Sequence, residues 1–221
     1  GGGVKFGIDL AEVSDARMMV EDAGRTIVGL HAHIGSGVDS PAPLLASARV
    51  LLDLSSDFAK LSFINFGGGI SVPYQPGEQP FPLDGYGAEL ERLAGGTLRA
   101  RGLTAILEPG RYVVAESGVL LARVASRRIS AGTYWVGVDS GFNHLARPSK
   151  YGAYHHIVNA SRGSDASLRA TFDASQLDDD VVVAGNICES GDVFTRRSDG
   201  TPVTRRIARV QPGVVLDHLR N

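Results

Sequence analysis

Two segments of the chain place glycine beside residues that can bind an anion or a metal, and the first is His31–Gly37. Two histidines at alternate positions precede Gly35, Ser36 and Gly37. Alternate residues of a strand lie on one face, so the histidines could bind a metal or pack in a core. The glycines and the serine favour instead an anion cradle, in which backbone N–H groups and a hydroxyl contact a phosphate. Taken alone, this segment leaves both interpretations open.

The second such segment is Gly67–Gly69, and a third polar turn follows at Glu108–Arg111. Three successive glycines permit close backbone approach and positive φ, although they could equally form a flexible turn. Glu108 and Arg111 could bind a cofactor or pair with each other in a structural salt bridge. Functional sites of parallel α/β folds collect where strands end, so three consecutive strands ending in such segments indicate a site.

Two later segments carry further polar chemistry. Arg147–Tyr151 contains an arginine, which suits bidentate recognition of a carboxylate, although the segment could also be a solvated loop. Cys188–Asp192 places a lone cysteine beside an acid and a glycine, so a loop site is conceivable, although lone cysteines are usually buried and inert. The chain has no zinc-type spacing of cysteine and histidine, and we predict no metal site.

The elements that must position the first three segments alternate between strand and helix. Short apolar runs predict strands at Thr26–Ile34, Leu61–Phe66 and Leu103–Leu107. The first connecting helix should begin after Ser40 as N-cap, with Pro41 at its first position. A second helix is predicted over Tyr86–Arg101. This rhythm is typical of βα units around a parallel sheet.

The alternation of strand and helix ends after about Ser117. Strands are predicted at Val119–Val124, Thr133–Val138 and Val181–Ala184, separated by loops rather than helices, and Ser161–Asp180 is predicted to be a polar surface loop. We therefore predict an α/β domain over residues 1–117 and a mostly β domain over residues 118–221.

The composition is that of an ordinary globular chain. Its 221 residues are 43% hydrophobic and 21% charged, with a net charge of −2 and a single cysteine. The slightly negative net charge does not suggest nucleic-acid binding, which usually requires an excess of positive charge. No apolar run reaches membrane-spanning length. A lone cysteine suits a reducing compartment, and no leader precedes the first motif. We expect a cytoplasmic protein that binds neither nucleic acid nor membrane.

The ordered set of motifs resembles the diaminopimelate decarboxylases, which belong to the alanine-racemase-like group of pyridoxal-phosphate enzymes. The resemblance runs from Val4 to about Thr195, and it is closest to the bacterial type with SVPYQ after the glycines. It rests on KFGI, GLHAHIGSGVD, FGGGISVPYQPGE, LEPGRYVVAESGVLLARV, DSGFNHLARPSKYGAYHHI and VAGNICESGDVFT. It implies the C-terminal half of a (β/α)8 TIM-type barrel, followed by part of a β-sandwich or β-barrel domain.

The resemblance also implies an activity and a cofactor. The activity is decarboxylation of meso-2,6-diaminopimelate to L-lysine, the last step of lysine biosynthesis, with pyridoxal 5′-phosphate. His33 should stack on the pyridine ring, and Glu108 should pair with the pyridine nitrogen. The residues that should hold the phosphate are Ser36, Gly68, Gly69, Gly110 and Arg111.

Substrate recognition follows from the same resemblance. Arg111, Arg147, Tyr151 and Glu189 should contact the substrate, and Cys188 with Glu189 should reach the site of a neighbouring subunit in a homodimer. His33, Cys188 and Glu189 are the implied catalytic residues. An arginine for the distal carboxylate and a glutamate for the distal ammonium would recognise diaminopimelate. Lysine or ornithine would leave Arg147 unpaired in a buried site, which costs roughly several kcal/mol.

The sequence departs from the family pattern at a few places. The lysine that carries the cofactor in the family lies upstream of these motifs, and none of Lys5, Lys60 and Lys150 matches its motif. VVLDHLRN stands where the family has a Gly-Ala-Tyr motif. Asn186 and His144 replace a more usual proline and aspartate. We therefore expect a fragment that is inactive alone. The alternatives are a decarboxylase of siderophore or antibiotic biosynthesis that acts on another amino acid, and a non-catalytic remnant.

Overall fold

The computed structural model of the chain describes residues 5–160, 179–207 and 215–219. The chain divides into two compact units. The first comprises Gly1–Val72 and Pro80–Val113, and the second comprises Pro73–Gln79 and Val114–Asn221. The fold is mixed α/β, since the first unit contains helices and a parallel sheet and the second contains a larger sheet.

The first unit is built on a three-stranded parallel sheet in the order β1-β2-β3, and the sheet is open among the described residues. The strands are β1 (Gly29–His31), β2 (Phe63–Gly68) and β3 (Thr104–Glu108). A 3-10 turn at Leu10–Glu12 and helix α1 (Val13–Asp22) precede them, and α2 (Pro41–Ser55) and α3 (Leu83–Arg101) connect them. A short helix α4 (Gly110–Val114) and a 3-10 turn at Ala115–Ser117 follow β3.

Helix α2 forms as its sequence predicts. Ser40 is the N-cap with extended backbone and Pro41 occupies the first turn, although the Ser40 side chain makes no capping hydrogen bond. Leu44, Ala48 and Leu51 recur at helical spacing and are buried. They pack into one core with Ile64 and Phe66 of β2, Phe58, Leu61, Phe81 and the inner face of α3.

The boundaries in the first unit differ from the predicted ones for identifiable reasons. Strand β2 continues through two glycines to Gly68, because the absence of a side chain lets Gly68 pair closely with Glu108. Strand β1 is shorter than predicted at both ends, and beyond its C-terminal end the Gly68 N–H bonds to the His33 ring instead of to backbone. Helix α3 begins at Leu83 rather than Tyr86, with Asp84 in its first turn, where a negative charge stabilises the helix.

The second unit is a six-stranded sheet in the order β6-β9-β4-β5-β7-β8. Its strands are β4 (Leu120–Ser130), β5 (Thr133–Val138), β6 (His156–Asn159), β7 (Asp179–Ala184), β8 (Arg205–Ile207) and β9 (Val215–Leu219), with the short helix α5 (Arg147–Tyr151) between β5 and β6. All pairs are antiparallel except β5 with β7. Valines of β4, β5 and β7 form the core with Ile157 and Ile207.

Strand β5 has its predicted bounds, whereas β4 is six residues longer at its C-terminal end. The extension is a hairpin arm whose turn, Ala131 and Gly132, has positive φ at both residues, as tight hairpins require. Its residues are mostly exposed and polar, so no apolar run reveals them. Of the predicted loop Ser161–Asp180, residues 161–178 lie outside the described residues, and Asp179 and Asp180 begin β7.

Candidate active site

The carboxyl ends of the three parallel strands bring the glycine-containing segments together. His31 of β1 is in register with Asn65 of β2, and Gly68 of β2 is in register with Glu108 of β3. A register shift lies between Asn65 and Gly68, so β2 bends where the site begins. The sheet therefore gathers a histidine, an amide, a carboxylate and glycine backbone at one end.

Glu108 is held by the neighbouring strands. Its Oε1 accepts a 2.8 Å hydrogen bond from Asn65 Nδ2, and its Oε2 lies 3.4 Å from His31 Nε2. Asn65 is buried, and its Oδ1 accepts the Gly67 N–H at 2.9 Å, so the amide can turn only its donor toward Glu108. The Glu108 side chain is still 49% exposed. The carboxylate is thus oriented and remains accessible to a ligand.

His33 is oriented by the backbone of the glycine segment. The Gly68 N–H donates to His33 Nδ1 at 3.3 Å. A ring nitrogen that accepts a hydrogen bond carries no proton, so this bond places the ring proton on Nε2. The ring is exposed, as an imidazole that stacks on a ligand must be.

Only glycine fits at positions 68 and 69. A Cβ on Gly68 would overlap the carbonyl oxygen of Glu108, and one on Gly69 would overlap the carbonyl oxygen of Gly35. Gly69 also has φ +98°, which side chains rarely tolerate. Its carbonyl accepts the N–H groups of Gly37 and Val38, both at 2.9 Å. The first two glycine segments are therefore bonded to each other through backbone.

The remaining predicted phosphate ligands lie at the same end of the sheet. Ser36 is exposed and sits one residue before Gly37. Gly110 and Arg111 begin α4, two residues beyond the end of β3, and Arg111 is half-buried. Their roles in binding stay predictions.

The predicted substrate residues Arg147 and Tyr151 are the two ends of α5 in the second unit. The guanidinium carbon of Arg147 lies 4.5 Å from the ring centre of Tyr74, and its Nη1 is 3.2 Å from His155 Nε2. Tyr151 is 61% exposed, so its ring is available to a ligand. The sequence did not suggest Tyr74 or His155 as partners of this arginine.

The loop that carries Cys188 and Glu189 is anchored by a buried aspartate. Asp192 is 3% exposed, and its two oxygens accept the N–H groups of Phe142 at 2.7 Å and Ile187 at 2.8 Å. Cys188 is exposed with a free thiol, and Glu189 Oε1 accepts the Gly191 N–H at 3.2 Å. The anchor fixes the loop while leaving these two side chains outward.

The same loop is tied to two further side chains. Ser149 Oγ and Arg196 Nη1 both donate to the Gly191 carbonyl, at 2.7 and 2.6 Å. The loop is therefore bonded to α5, which carries Arg147 and Tyr151. Helix and loop form one connected cluster within the second unit.

The two unusual residues of the sequence meet at Ser140. His144 Nδ1 is 3.1 Å from Ser140 Oγ, and the Asn186 N–H donates to the Ser140 carbonyl at 3.0 Å. Both departures from the family pattern are thus accommodated by local hydrogen bonds.

Sequence reasoning missed Asn65, the pairing of His31 with Glu108, and Asp192. A signal was present for Asn65, which is a polar residue inside an apolar run directly before the glycines. Asp192 gave a weaker signal, as the last polar residue of a glycine-containing turn. Within the described parts of the chain, no three His, Cys, Asp or Glu side chains gather as a metal would require, and no helix is long and apolar enough to cross a membrane.

Comparisons with known proteins agree with the geometry. Residues 51–216 match the profile of the family described as pyridoxal-dependent decarboxylase, C-terminal sheet domain. Diaminopimelate decarboxylase of Methanothermobacter thermautotrophicus is 37% identical over 96% of this chain and 47% of its own length. The Escherichia coli K12 enzyme of the same name is also 37% identical, over 96% of this chain and 50% of its own. The chain spans about half the length of these curated relatives.

Solved structures give the same result. A crystal structure of diaminopimelate decarboxylase aligns with a TM-score of 0.86 and 36% identity, covering all of this chain and 51% of that one. The diaminopimelate decarboxylase of M. jannaschii, solved in complex with L-lysine, aligns with a TM-score of 0.77 and 29% identity, covering 99% of this chain and 48% of that one.

Proposed function

This chain belongs to the pyridoxal-dependent decarboxylase family, and from that premise we propose that it serves the decarboxylation of meso-2,6-diaminopimelate to L-lysine. The relatives named above are called diaminopimelate decarboxylases and align over nearly the whole chain. The proposal includes pyridoxal 5′-phosphate as cofactor, a cytoplasmic location and a homodimer. It also includes the finer fold: residues 1–117 as part of a (β/α)8 barrel, and residues 118–221 as part of a β-sandwich or β-barrel domain.

The observation that carries the proposal is the fixed carboxylate of Glu108. A pyridine nitrogen keeps its proton best beside an oriented carboxylate, and Asn65 and His31 orient this one from two sides. Pyridoxal phosphate, when bound, supplies a sink for the electron pair of the bond that breaks. Glu108 would hold the proton at the ring nitrogen through Oε1 or Oε2, and the exposed ring of His33 would stack on the pyridine face.

The residues present also fit the phosphate. The backbone around Gly69 leaves no room for side chains, and Ser36 offers an exposed hydroxyl at the same end of the sheet. Arg111 adds a positive charge, and Gly110 adds a backbone N–H. Because the Gly68 N–H bonds to His33, Gly68 would contribute to the phosphate site by its missing side chain.

The substrate residues of the second unit suit an amino acid with a charged distal head. Arg147 would bind the distal carboxylate, Glu189 the distal ammonium, and Tyr151 would contact the substrate. Arg111 of the first unit is proposed as a further substrate residue. Cys188 and Glu189 lie on an anchored, exposed loop, as residues that serve a neighbouring subunit must. The structure leaves Arg147 half-buried rather than buried, so an unmatched guanidinium disfavours substrates without a distal carboxylate less than the sequence alone suggested.

The test uses the chain extended at both ends with the corresponding segments of the Methanothermobacter thermautotrophicus relative, called here the extended enzyme. CO2 release is measured with meso-diaminopimelate, L-lysine and L-ornithine. We expect turnover of diaminopimelate only, and a loss of turnover in Arg147→Met but not in Arg128→Met, which changes an exposed arginine of β4. Preference for another amino acid with a carboxylate tail would keep the family and refute the substrate.

A further inference from the structure

We infer that Tyr74 and His155 are positioning residues that fix the guanidinium of Arg147, and that this fixed orientation selects substrates with a distal carboxylate. The inference rests on the proposed function, in which Arg147 binds that carboxylate. Neither residue has a role implied by the motifs or by the names of the relatives. All three side chains belong to the second unit.

The backbone of Arg147 is already rigid. Arg147 opens α5, and Pro148, which is fully buried, follows it. The Gly152 N–H bonds to the Pro148 carbonyl at 2.9 Å, and the Ala153 N–H bonds to the Arg147 carbonyl at 3.3 Å. The remaining conformational freedom of Arg147 lies in its long side chain, and ordering that side chain costs conformational entropy.

Tyr74 holds the face of the guanidinium. The Arg147 guanidinium carbon lies 4.5 Å from the ring centre, within the range of a cation–π contact, and both residues are half-buried, which strengthens it. The tyrosine is itself fixed, because the N–H groups of Tyr74 and Gln75 donate to Glu78 Oε2 at 2.6 and 3.1 Å. Glu78 thus clamps the loop that supplies the stacking ring.

His155 holds the edge of the guanidinium. Arginine can only donate, so the 3.2 Å contact between Arg147 Nη1 and His155 Nε2 requires that nitrogen to be unprotonated. His155 also packs edge-on against Tyr74, with ring centres 5.7 Å apart and an angle of 81° between the planes. The stack restrains the plane of the guanidinium, and the hydrogen bond restrains its rotation within that plane.

A fixed plane has a consequence for recognition. With one face stacked, a carboxylate is best recognised by N–H groups in the guanidinium plane, the geometry of a bidentate pair. Ordering the arginine in advance lowers the entropy lost on binding. Loss of either contact should therefore raise KM for diaminopimelate about tenfold, with kcat little changed, because the distal carboxylate takes no part in the bond that breaks.

The kinetic test compares two pairs of variants in the extended enzyme. Tyr74→Leu and His155→Leu should raise KM for meso-diaminopimelate, whereas Tyr74→Phe keeps the ring, His155→Gln keeps an acceptor, and both should restore most of it. An unchanged KM in both leucine variants, with KM raised in Arg147→Met, would refute the positioning role and leave the proposed function standing. An unchanged KM in Arg147→Met would refute the proposed role of Arg147 itself.

A second measurement needs no turnover and uses the 221-residue chain. The order of the Arg147 Nε–H bond is measured by 15N NMR relaxation, with the exposed Arg128 as internal reference. We expect Arg147 to be as ordered as backbone, and to approach the mobility of Arg128 in Tyr74→Leu and His155→Leu. If Arg147 keeps its order in both variants, the inference is wrong.

Discussion

Asn65 Nδ2 donates a 2.8 Å hydrogen bond to Glu108 Oε1 between neighbouring strands β2 and β3. The bond has only one possible direction, since Asn65 Oδ1 is used by the Gly67 N–H. An amide inside the sheet therefore determines where the carboxylate points. This pair supports the proposal that Glu108 holds the cofactor's ring nitrogen.

The first prediction concerns Asn65→Asp. This change places a second negative charge beside Glu108 and removes the donor, so Glu108 should become harder to keep ionised. We expect pyridoxal phosphate affinity of the extended enzyme to fall about tenfold, measured by absorbance titration. Asn143→Asp, at an exposed position, serves as control and should leave the affinity unchanged. Equal affinity in both variants would mean that Asn65 does not orient Glu108.

The second prediction compares the effect on stability of replacing each of two glycines with alanine. Gly68→Ala forces a methyl into the Glu108 backbone and should destabilise the chain by about 2 kcal/mol. Gly96→Ala, on an exposed site of α3 where the new methyl meets nothing beyond its own helix backbone, should stabilise it by about 1 kcal/mol. Urea unfolding of the 221-residue chain measures both. Changes of the same sign would contradict the close approach of β2 to β3.

The third prediction concerns the buried anchor of the Cys188 loop. Asp192→Ala leaves the N–H groups of Phe142 and Ile187 without their acceptor, and should lower the free energy of unfolding by about 3 kcal/mol. Asp180→Asn removes one partner of an exposed ion pair with Arg206 and should cost less than about 1 kcal/mol. Chemical denaturation compares the two, and a similar small loss in both would show that Asp192 is no anchor.

The fourth prediction concerns pH. Burial, and secondarily the charge of Arg205, lowers the pKa of His156 below its ordinary 6.5. The unfolded chain therefore takes up this proton at a higher pH than the folded chain, and stability is lost as pH falls through 6.5 toward the lowered pKa. One proton accounts for at most about 1.4 kcal/mol per pH unit.

The pH effect is tested by comparing unfolding at several pH values. His156→Gln should flatten the decline below pH 6.5, whereas His144→Gln, at an exposed histidine, should not. A decline equally steep in both variants would assign it to other groups.

The parts of the fold that the sequence predicts are those with strong local patterns. The apolar spacing of α2, the alternation of β5 and the three strands that end in polar turns all correspond to observed elements. The strands β6, β8 and β9 and the polar end of β4 were not predicted. In β8 and the end of β4, charged and exposed residues leave no apolar period. A local sequence pattern cannot reveal a strand that forms because it pairs with an adjacent strand.

The candidate site shows the same division. Glycine segments at strand ends could be recognised from the sequence, since glycine there has a steric reason. The contacts that orient the site could not, because they join residues far apart: Asn65 with Glu108 across 43 positions, and Asp192 with Phe142 across 50. Such pairs follow from strand register and loop docking, which a single sequence does not encode locally.

The most direct test is CO2 release from carboxyl-labelled meso-diaminopimelate, with pyridoxal phosphate added, for the 221-residue chain and for the extended enzyme. We expect the extended enzyme to release CO2 and to lose most of that rate in Glu108→Ala, while the 221-residue chain releases none, since covalent attachment of the cofactor needs a lysine in the family's motif. Release by the 221-residue chain would contradict the assignment of the essential lysine to the upstream segment. No release from diaminopimelate by the extended enzyme, or an unchanged rate in Glu108→Ala, would contradict the proposed function.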